Sequence, residues 1–182
     1  MIFYFREAAS DVFGCKQLSD CAAQLPISLT YDSQTSPSLA DTFLTVPADP
    51  GVSPWAAGQW KINLQIMESD GAILSVEVWR ADSGGNDIQL VGGGSASAAI
   101  GLVQITFSGV EIPAEKTDRV KVKIFDQVQA RFALAASASS VVAPIEQQRL
   151  HGRNNTYRRG RFLGWLRRPC EPSLDLDCFP KI

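Results

Sequence analysis

The chain has 182 residues and a formal net charge of −2, from 17 Lys and Arg against 19 Asp and Glu with one neutral histidine. Its apolar runs fall well short of the roughly 20 residues that a membrane-spanning helix needs, so the sequence excludes such a helix. The first residues hold a short apolar run followed by an early charge pair, Arg6 and Glu7. This pattern argues against a secretory signal, and we expect synthesis in the cytoplasm.

Charge is distributed unevenly along the chain. Residues 1–148 hold nine Lys and Arg against sixteen Asp and Glu, whereas the segment 149–168 holds seven arginines and no acidic residue. The sequence therefore predicts an acidic body followed by a basic arm, and an anionic partner for that arm. Nucleic acid, an acidic protein surface and a neighbouring copy of the acidic body are the candidates.

Alternation of apolar and polar residues predicts a β-rich body over residues 1–134. About 130 residues suffice for one domain with its own core. An irregular segment is predicted over 10–25, after the N-terminal strand. The nine predicted strands, in chain order, are 2–5, 27–31, 42–46, 60–66, 74–79, 88–91, 103–108, 120–124 and 131–134.

The phase of the alternation predicts which residues form the core. Trp55 and Trp60 either cap one end of the body or lie in this core. Trp79 alternates with the predicted core residues of its strand, so its side chain is predicted to point away from the core. We expect it to lie under a loop or at an exposed contact. The predicted core residues are Trp60, Ile62, Leu64, Val76, Val78, Ile105, Phe107, Val122 and Ile124.

Turn chemistry separates the strands. The run Glu-Ser-Asp-Gly at 68–71 predicts a hairpin, and 82–87 predicts a second chain reversal. The stretch 92–99, rich in Gly, Ser and Ala, is predicted as a connection before the next strand, with the glycine run at 92–94 as the transition from strand to loop. Many short strands with such turns predict an all-β fold: an antiparallel, jelly-roll-like β-sandwich with an irregular basic C-terminal arm.

Two segments follow the sandwich. Small residues dominate 135–148, which predicts an Ala/Ser-rich linker. The arm, 149–182, interleaves arginines with aromatic residues, which suits single-stranded nucleic acid and also protein interfaces, and we expect protein. The predicted interface residues are Arg149, Arg153, Tyr157, Arg158, Arg159, Arg161, Phe162, Trp165, Arg167 and Arg168.

The sequence offers little catalytic chemistry. The single histidine, His151, lies in the arm, so the body has none for a Ser-His-Asp or Cys-His arrangement. The glycine run at 92–94 does not fit a phosphate-binding motif. A glycosidase that uses two catalytic carboxylates stays open as an alternative, although the sequence singles out no pair of Asp or Glu residues. We expect no enzymatic activity, no cofactor, no metal and no small-molecule substrate.

The four cysteines form two close pairs in the sequence, Cys15 with Cys21 and Cys170 with Cys178. Gaps of five and seven residues, with no histidine nearby, disfavour a zinc site. Free thiols are expected for a cytoplasmic product, and local disulfides formed by later oxidation are the alternative.

The order of four motifs resembles a group of small β-sandwich virion proteins from tailed bacteriophages and prophages. The motifs are the aromatic strand at 2–10, Trp-Ala-Ala-Gly-Gln-Trp from Trp55, Val-Glu-Val-Trp-Arg from Val76, and Thr-Phe-Ser-Gly from Thr106. The resemblance covers about residues 1–130; the cysteine pairs and the arm depart from it.

This resemblance implies a non-enzymatic virion protein, foremost a capsid decoration or cement protein anchored to neighbouring subunits through its terminal arms. A tail or head–tail junction accessory protein and a carbohydrate- or receptor-binding module are the alternatives. The expected partners are other virion proteins and copies of the chain itself. Nucleic acid is a less favoured partner of the arm, and no membrane is expected.

Overall fold

The computed structural model describes residues 1–20, 28–33 and 35–145. These residues form eleven β-strands and one short 3-10 helix, Ala136–Ala138. The strands are β1 (Ile2–Ala9), β2 (Lys16–Ser19), β3 (Ser28–Asp32), β4 (Ser38–Thr45), β5 (Gly58–Ser69), β6 (Ile73–Ala81), β7 (Asp87–Ser97), β8 (Gly101–Gly109), β9 (Arg119–Asp126), β10 (Arg131–Ala135) and β11 (Ser140–Val142).

The strands pair along the path β3-β10-β5-β11-β1-β2-β4-β9-β6-β7, with β8 also paired to β5. Within the described residues the named strands pair antiparallel, except that β2 runs parallel to β4. The path folds back on itself, so its two halves turn their apolar sides towards one core. The predicted all-β sandwich is confirmed, with one parallel pair added; the predicted basic arm lies outside the described residues.

The core contains the residues that the alternation predicts. Eight of the nine are buried, from Trp60 on β5 to Ile124 on β9. Phe107 is partly buried, and its ring stacks on Trp60 with centroids 6.2 Å apart and planes 3° from parallel. Trp55 is buried as well, so both tryptophans lie in the core. Each such large side chain stabilises the fold by about 1.5–3 kcal/mol through burial.

The predicted linker is wrong for residues 135–145. Strand β11 lies between β1 and β5 and pairs with both, so this stretch belongs to the sandwich. Ser139 is fully buried: its Oγ accepts from the Gln65 backbone N–H (3.0 Å) and donates to the Ala135 carbonyl (2.8 Å). Backbone pairing and the buried Ser139 hydrogen bonds therefore hold this stretch in the sheet. Residues 146–148 of the predicted linker lie outside the described residues.

Strand β2 lies inside the stretch predicted as irregular, 10–25. It pairs with β1 on one side and with β4 on the other. Its buried Leu18 faces Phe5 across the β1–β2 pair. One apolar residue among polar neighbours produces no alternation, which is why the sequence did not indicate this strand.

The turn at 68–71 does not form the predicted hairpin. Strand β5 pairs with β8 on one edge and with β10 and β11 on the other. Both edges are thus occupied, and β6 pairs instead with β7 and β9. The turn therefore carries the chain from one layer to the other. The second reversal, 82–87, is confirmed, because it joins the antiparallel β6–β7 pair.

The glycine run lies inside a strand and not at the predicted transition from strand to loop. Gly92, Gly93 and Gly94 all lie within β7. A β-carbon on Gly93 would come within 2.2 Å of the Val76 carbonyl oxygen, and one on Gly92 within 2.5 Å of the Phe107 ring. The missing side chains thus allow β7 to approach β6 and Phe107 to pack over the strand.

Candidate functional site

Most residues predicted to carry function lie outside the described part of the chain. These are all ten interface residues of the arm, from Arg149 to Arg168, together with Cys21, Cys170 and Cys178. Cys15 is described: it is half-buried just before β2, carries a free thiol, and burial raises the pKa of that thiol.

The described large apolar side chain that is most exposed belongs to Phe13, at the tip of the turn between β1 and β2. The Ser10 backbone N–H donates to the Cys15 carbonyl (2.9 Å), and the Cys15 N–H donates to the Val12 carbonyl (3.1 Å). Gly14 completes the turn at a φ of +77°, which favours glycine. The turn is therefore a closed, hydrogen-bonded structure with a fully exposed aromatic ring at its tip.

A buried arginine holds this turn in place. Arg119 is fully buried, and its Nη1 and Nη2 donate to the two carboxylate oxygens of Asp11, at 3.0 and 2.5 Å. Its Nε donates to the Thr45 carbonyl at 2.6 Å, and Nη1 also donates to the Ser83 carbonyl at 3.3 Å. Bidentate, charge-assisted bonds of this kind are strong and directional. The guanidinium therefore connects the Phe13 turn, β4 and the 82–87 turn.

Two ionised carboxylates, those of Asp11 and Asp82, lie in or next to the Phe13 turn. The hydrogen bond from Arg119 lowers the pKa of Asp11 below its usual value. In the adjoining 82–87 turn, hydrogen bonds from the Asn86 side chain and backbone lower the pKa of Asp82. Both groups are charged at neutral pH, but Arg119 compensates the charge of Asp11, and Lys121 and Lys123 lie beside the 82–87 turn, paired with Asp87. The surface around Phe13 is therefore an apolar tip above largely paired charges.

A second polar cluster joins β2, β3 and β4. The carboxylate of Asp41 is buried and accepts hydrogen bonds from Lys16 Nζ, from the Tyr31 hydroxyl at 2.5 Å and from the Thr42 backbone N–H at 2.9 Å. Burial, followed by the bond to Asp41, raises the pKa of Tyr31 far above its ordinary range. The Tyr31 hydroxyl therefore stays protonated and donates its hydrogen bond to Asp41, whose carboxylate already accepts three hydrogen bonds. The cluster thus serves to join three strands.

A row of neutral polar side chains crosses the outer side of four strands. Gln104 on β8 donates to Asn63 on β5 at 2.8 Å, and Asn63 donates to Ser140 on β11 at 3.1 Å. The strand register continues the row to Tyr4 on β1. We call these four residues the amide row. Their hydroxyl and amide groups can donate and accept hydrogen bonds without carrying charge.

Trp79 is half-buried on the outer side of β6, as its phase predicts. Lys123 Nζ lies 4.8 Å from the ring centroid, and the indole N–H donates to Glu77 at 2.8 Å. The ring is thus engaged by side chains of its own sheet, through a cation–π contact and a hydrogen bond.

Four exposed apolar side chains lie in or beside the β5–β6 and β7–β8 connections, and we call this set of residues the end patch. They are Met67, Ile73, Ile100 and Leu102, with exposures of 52%, 40%, 72% and 64%. The Ala98 backbone N–H donates to the Ala72 carbonyl at 2.8 Å and so ties the two connections together. The patch therefore sits on a firm backbone.

Neither metal clusters nor spanning helices occur in the described ranges. Residues 1–20, 28–33 and 35–145 contain no group of three or more His, Cys, Asp or Glu that could bind a metal ion. The same part of the chain contains no helix that is long and apolar enough to cross a membrane.

Sequence reasoning missed Phe13 and Arg119. Gly14 directly after Phe13 is the one local signal of a tight turn, and it lies in a stretch predicted as irregular. Arg119 is the first residue of the strongly alternating strand β9, and in the sequence it looks like an ordinary surface cation. Its role depends on Asp11, a residue from a distant part of the chain.

Comparison with known proteins shows similarity of fold. No protein-family model matches the chain, and no curated protein matches it. A CocE/NonD family hydrolase from Staphylococcus aureus has a TM-score of 0.58 at 9% identity, over 80% of this chain and 36% of that chain. A further structure of a CocE/NonD family hydrolase from the same organism gives 0.54 at 11%, over 81% and 36%.

An aminopeptidase from the marine sediment archaeon Thaumarchaeota archaeon has a TM-score of 0.51 at 10% identity, over 78% of this chain and 36% of that chain. The chain thus spans about a third of the length of each of these structures. At such identities the likeness concerns the fold alone: the chain is similar in its all-β architecture to one part of these larger proteins.

Proposed function

We propose that the chain is a non-enzymatic structural protein of a tailed-phage virion, and specifically a capsid decoration protein held on neighbouring subunits. The observation that carries the proposal is the end patch, where four large apolar side chains are 40–72% exposed on a firm backbone. Large apolar side chains that are left exposed around the same chain connections are a feature of surfaces that another protein covers. A protein that sits among neighbours in a particle needs such surfaces.

The charge pattern of the sequence supports the same proposal. The arm combines seven arginines with Tyr157, Phe162 and Trp165, residue types that serve as anchors in protein interfaces. A single arm contributes little affinity, but repeated display on a symmetric particle multiplies weak contacts. The activities named for the hydrolase and aminopeptidase neighbours are not part of the proposal, since the likeness to them concerns the fold alone.

The location of the protein in purified particles tests this function. An antibody against the chain should detect it in virions of the phage or prophage that encodes it, with immunogold label on the heads. Label on tails or at the head–tail junction would assign the chain to the accessory proteins of those parts. Absence from purified particles would refute the virion role.

Variants of the arm and of the end patch test how the chain is held. A chain that ends at Ile145 and the variant Ile100→Asp should both be depleted from particles, with Ile88→Asp, an exposed residue elsewhere, as the matched control. Release by 1 M salt, where the screening length falls to ~3 Å, would assign the attachment to the arginines. Resistance to salt together with loss on Trp165→Ala would assign it to the aromatics. Normal incorporation of all variants would contradict the proposed anchoring.

A carbohydrate-binding module is a second candidate, favoured by the amide row. Neutral donors and acceptors on a sheet face match the hydroxyls of a sugar chain, and Tyr4 supplies an aromatic ring at the end of the row. Under this candidate, titration of the purified chain with neutral oligosaccharides gives saturable heat that Asn63→Ala abolishes and Thr106→Ala retains. No binding to such sugars would eliminate it.

A further inference from the structure

We propose that the chain forms a two-fold dimer in which β8 of one copy pairs antiparallel with β8 of a second copy. The proposed contact joins identical chains and so goes beyond attachment to a capsid or tail.

Strand β8 has an unpaired edge. In the part of the chain that the structure describes, three strands pair on one side only, namely β3, β7 and β8. All nine residues of β8 pair with β5, and the register does not shift along the pair. About half of the backbone N–H and C=O groups of such a strand point away from its neighbour. The backbone of another strand matches these groups, so the chemistry of this edge selects a β-strand as its occupant.

The edge of β8 lacks the features that keep other edges from pairing. Such features are lysine, proline, β-bulges and short strand length. Strand β8 is nine residues long and regularly paired, and the whole segment 88–110 contains no charged residue and no proline. By contrast, β7 has two register shifts against β6, and β3 has five residues and ends in Asp32. Of the three edges, that of β8 is therefore the one best suited to accept a further strand.

The sequence of β8 is complementary to itself when the strand is reversed. With Ile105 of one copy opposite Ile105 of the other, an antiparallel pair places Gln104 opposite Thr106. The same register, continued by one residue past each end of the strand, places Ile100 opposite Val110. These two side chains are 72% and 68% exposed in the single chain, and in the dimer they cover each other at both ends of the contact. Such cross-strand pairs stabilise a sheet, which argues for a second copy as the occupant.

Polar and charged groups fit the same occupant. The Gln104 side chain donates to Asn63 at 2.8 Å, and its amide oxygen can accept from the Thr106 hydroxyl of the other copy. Residues 1–148 hold nine Lys and Arg against sixteen Asp and Glu, so two bodies repel each other at neutral pH. The uncharged segment 88–110 lets two copies meet without placing like charges opposite each other.

Sedimentation velocity of the purified full-length chain tests the proposal. The wild type should show a concentration-dependent equilibrium of monomer and dimer without larger species, because a two-fold contact is closed. Ile100→Lys and Val110→Glu should each weaken dimerisation by at least about tenfold, since each homodimer then holds two charges opposite apolar side chains. Ile73→Lys and Leu90→Lys, at exposed apolar residues of β6 and β7, are the matched controls and should dimerise like the wild type. Circular dichroism and thermal unfolding establish that each variant is folded.

Mixing the variants at low salt tests the register. Position 100 of one copy faces position 110 of the other, so Ile100→Lys mixed with Val110→Glu forms an ion pair at one end and keeps the apolar pair at the other. This mixture should dimerise at least about tenfold more strongly than either variant alone. Ile100→Lys mixed with Val110→Lys brings two cations together and should stay monomeric.

Hydrogen exchange provides a readout of the backbone pairing itself. Amide exchange in residues 101–109 should slow as the concentration of the wild type rises, and it should not change for Ile100→Lys. The wild-type dimer should also persist at 1 M salt, where the screening length is ~3 Å, because the contact is uncharged.

Four results would each overturn the proposal. They are a monomeric wild type at its highest soluble concentration, no dimer in the Lys–Glu mixture, equal loss of dimer in Ile73→Lys or Leu90→Lys, and loss of the wild-type dimer at 1 M salt. The third result would assign the contact to the end patch or to β7, and the fourth would assign it to the arginines of the arm. No virion takes part in these experiments, so their failure leaves the proposed function to be judged by particle labelling.

Discussion

Arg119 and Asp11 are 108 residues apart in the chain, yet the guanidinium of Arg119 binds both carboxylate oxygens of Asp11. The arginine side chain is fully buried, whereas the aspartate side chain is 49% exposed. Water can therefore solvate Asp11 if the pair is broken, but it does not reach Arg119. The buried charge of Arg119 is therefore compensated mainly by the carboxylate of Asp11. Because Asp11 belongs to the turn that carries Phe13, the position of Phe13 depends on β9, a strand that lies more than 100 residues later in the chain.

We expect Asp11→Asn to lower the free energy of unfolding by about 2 kcal/mol. Removing one partner of a buried pair costs about 3–5 kcal/mol, and the half-exposed position of Asp11 reduces this value. Urea unfolding at pH 7 measures the change, with Glu7→Gln as a control that should stay within about 0.5 kcal/mol of the wild type. Equal stability of Asp11→Asn and the control would mean that the carbonyls of Thr45 and Ser83 suffice to hold Arg119.

Asp49 should make the protein less stable as the pH rises from 4 to 6. Burial, with a smaller contribution from the charge of Asp20, raises the pKa of Asp49 from 3.8 to about 6. Between these two values the folded state binds more protons than the unfolded state, so stability is greatest below the lower value and declines up to the higher one.

The variant Asp49→Asn isolates this effect. At pH 7.5 it should exceed the wild type in unfolding free energy by about 1–2 kcal/mol, a value that allows for partial exposure of the carboxyl. At pH 3, below both pKa values, the two proteins should agree, because Asp49 of the wild type is then mostly protonated in the folded and in the unfolded state. Chemical unfolding at both pH values measures the difference, and a difference that does not depend on pH would show that Asp49 titrates normally.

Gly93→Ala should destabilise the sandwich by at least about 2 kcal/mol, as overpacking against rigid neighbours does. The new β-carbon would lie 2.2 Å from the Val76 carbonyl oxygen, so β6 and β7 would have to separate. In Gly84→Ala the nearest atom is a side-chain oxygen of Asp82, 3.3 Å away, and this control should change stability little. Thermal unfolding of both variants makes the comparison; equal midpoints would show that the β6–β7 pair adapts freely.

A chain that ends at Ile145 should fold cooperatively, whereas one that ends at Leu134 should not. The shorter chain lacks β11, so β1 loses its partner next to β5. A chain that ends at Val142 retains β11 but lacks the buried Ile145 and both carbonyls that accept from the Met1 ammonium, at a cost of about 3 kcal/mol. Urea unfolding ranks the three chains, and cooperative unfolding of the shortest would contradict the assignment of β11 to the core sheet.

The sequence alone indicates the parts of this fold that depend on local pattern. Strands β5, β6, β8 and β9 show apolar residues at every second position, and a half-buried strand requires this period wherever it lies. Burial of Trp60, Val78 and Ile124 follows from the same pattern. The reversal at 82–87 was also predictable, since Asp82 and Asn86 form its hydrogen bonds within the turn itself.

Other features depend on groups that are distant in the sequence, and only the tertiary structure decided them. The Asp-Gly turn at 70–71 suits a hairpin, but the occupied edges of β5 send β6 to the other layer. The Ala/Ser stretch after Leu134 has the composition of a linker, but the edges of β1 and β5 supply backbone partners on both sides and make Ser140–Val142 a strand. Local alternation determined β5, β6, β8 and β9 and their core residues. Which strands are neighbours, and whether β2 and β11 form at all, was decided by long-range packing that no local pattern records.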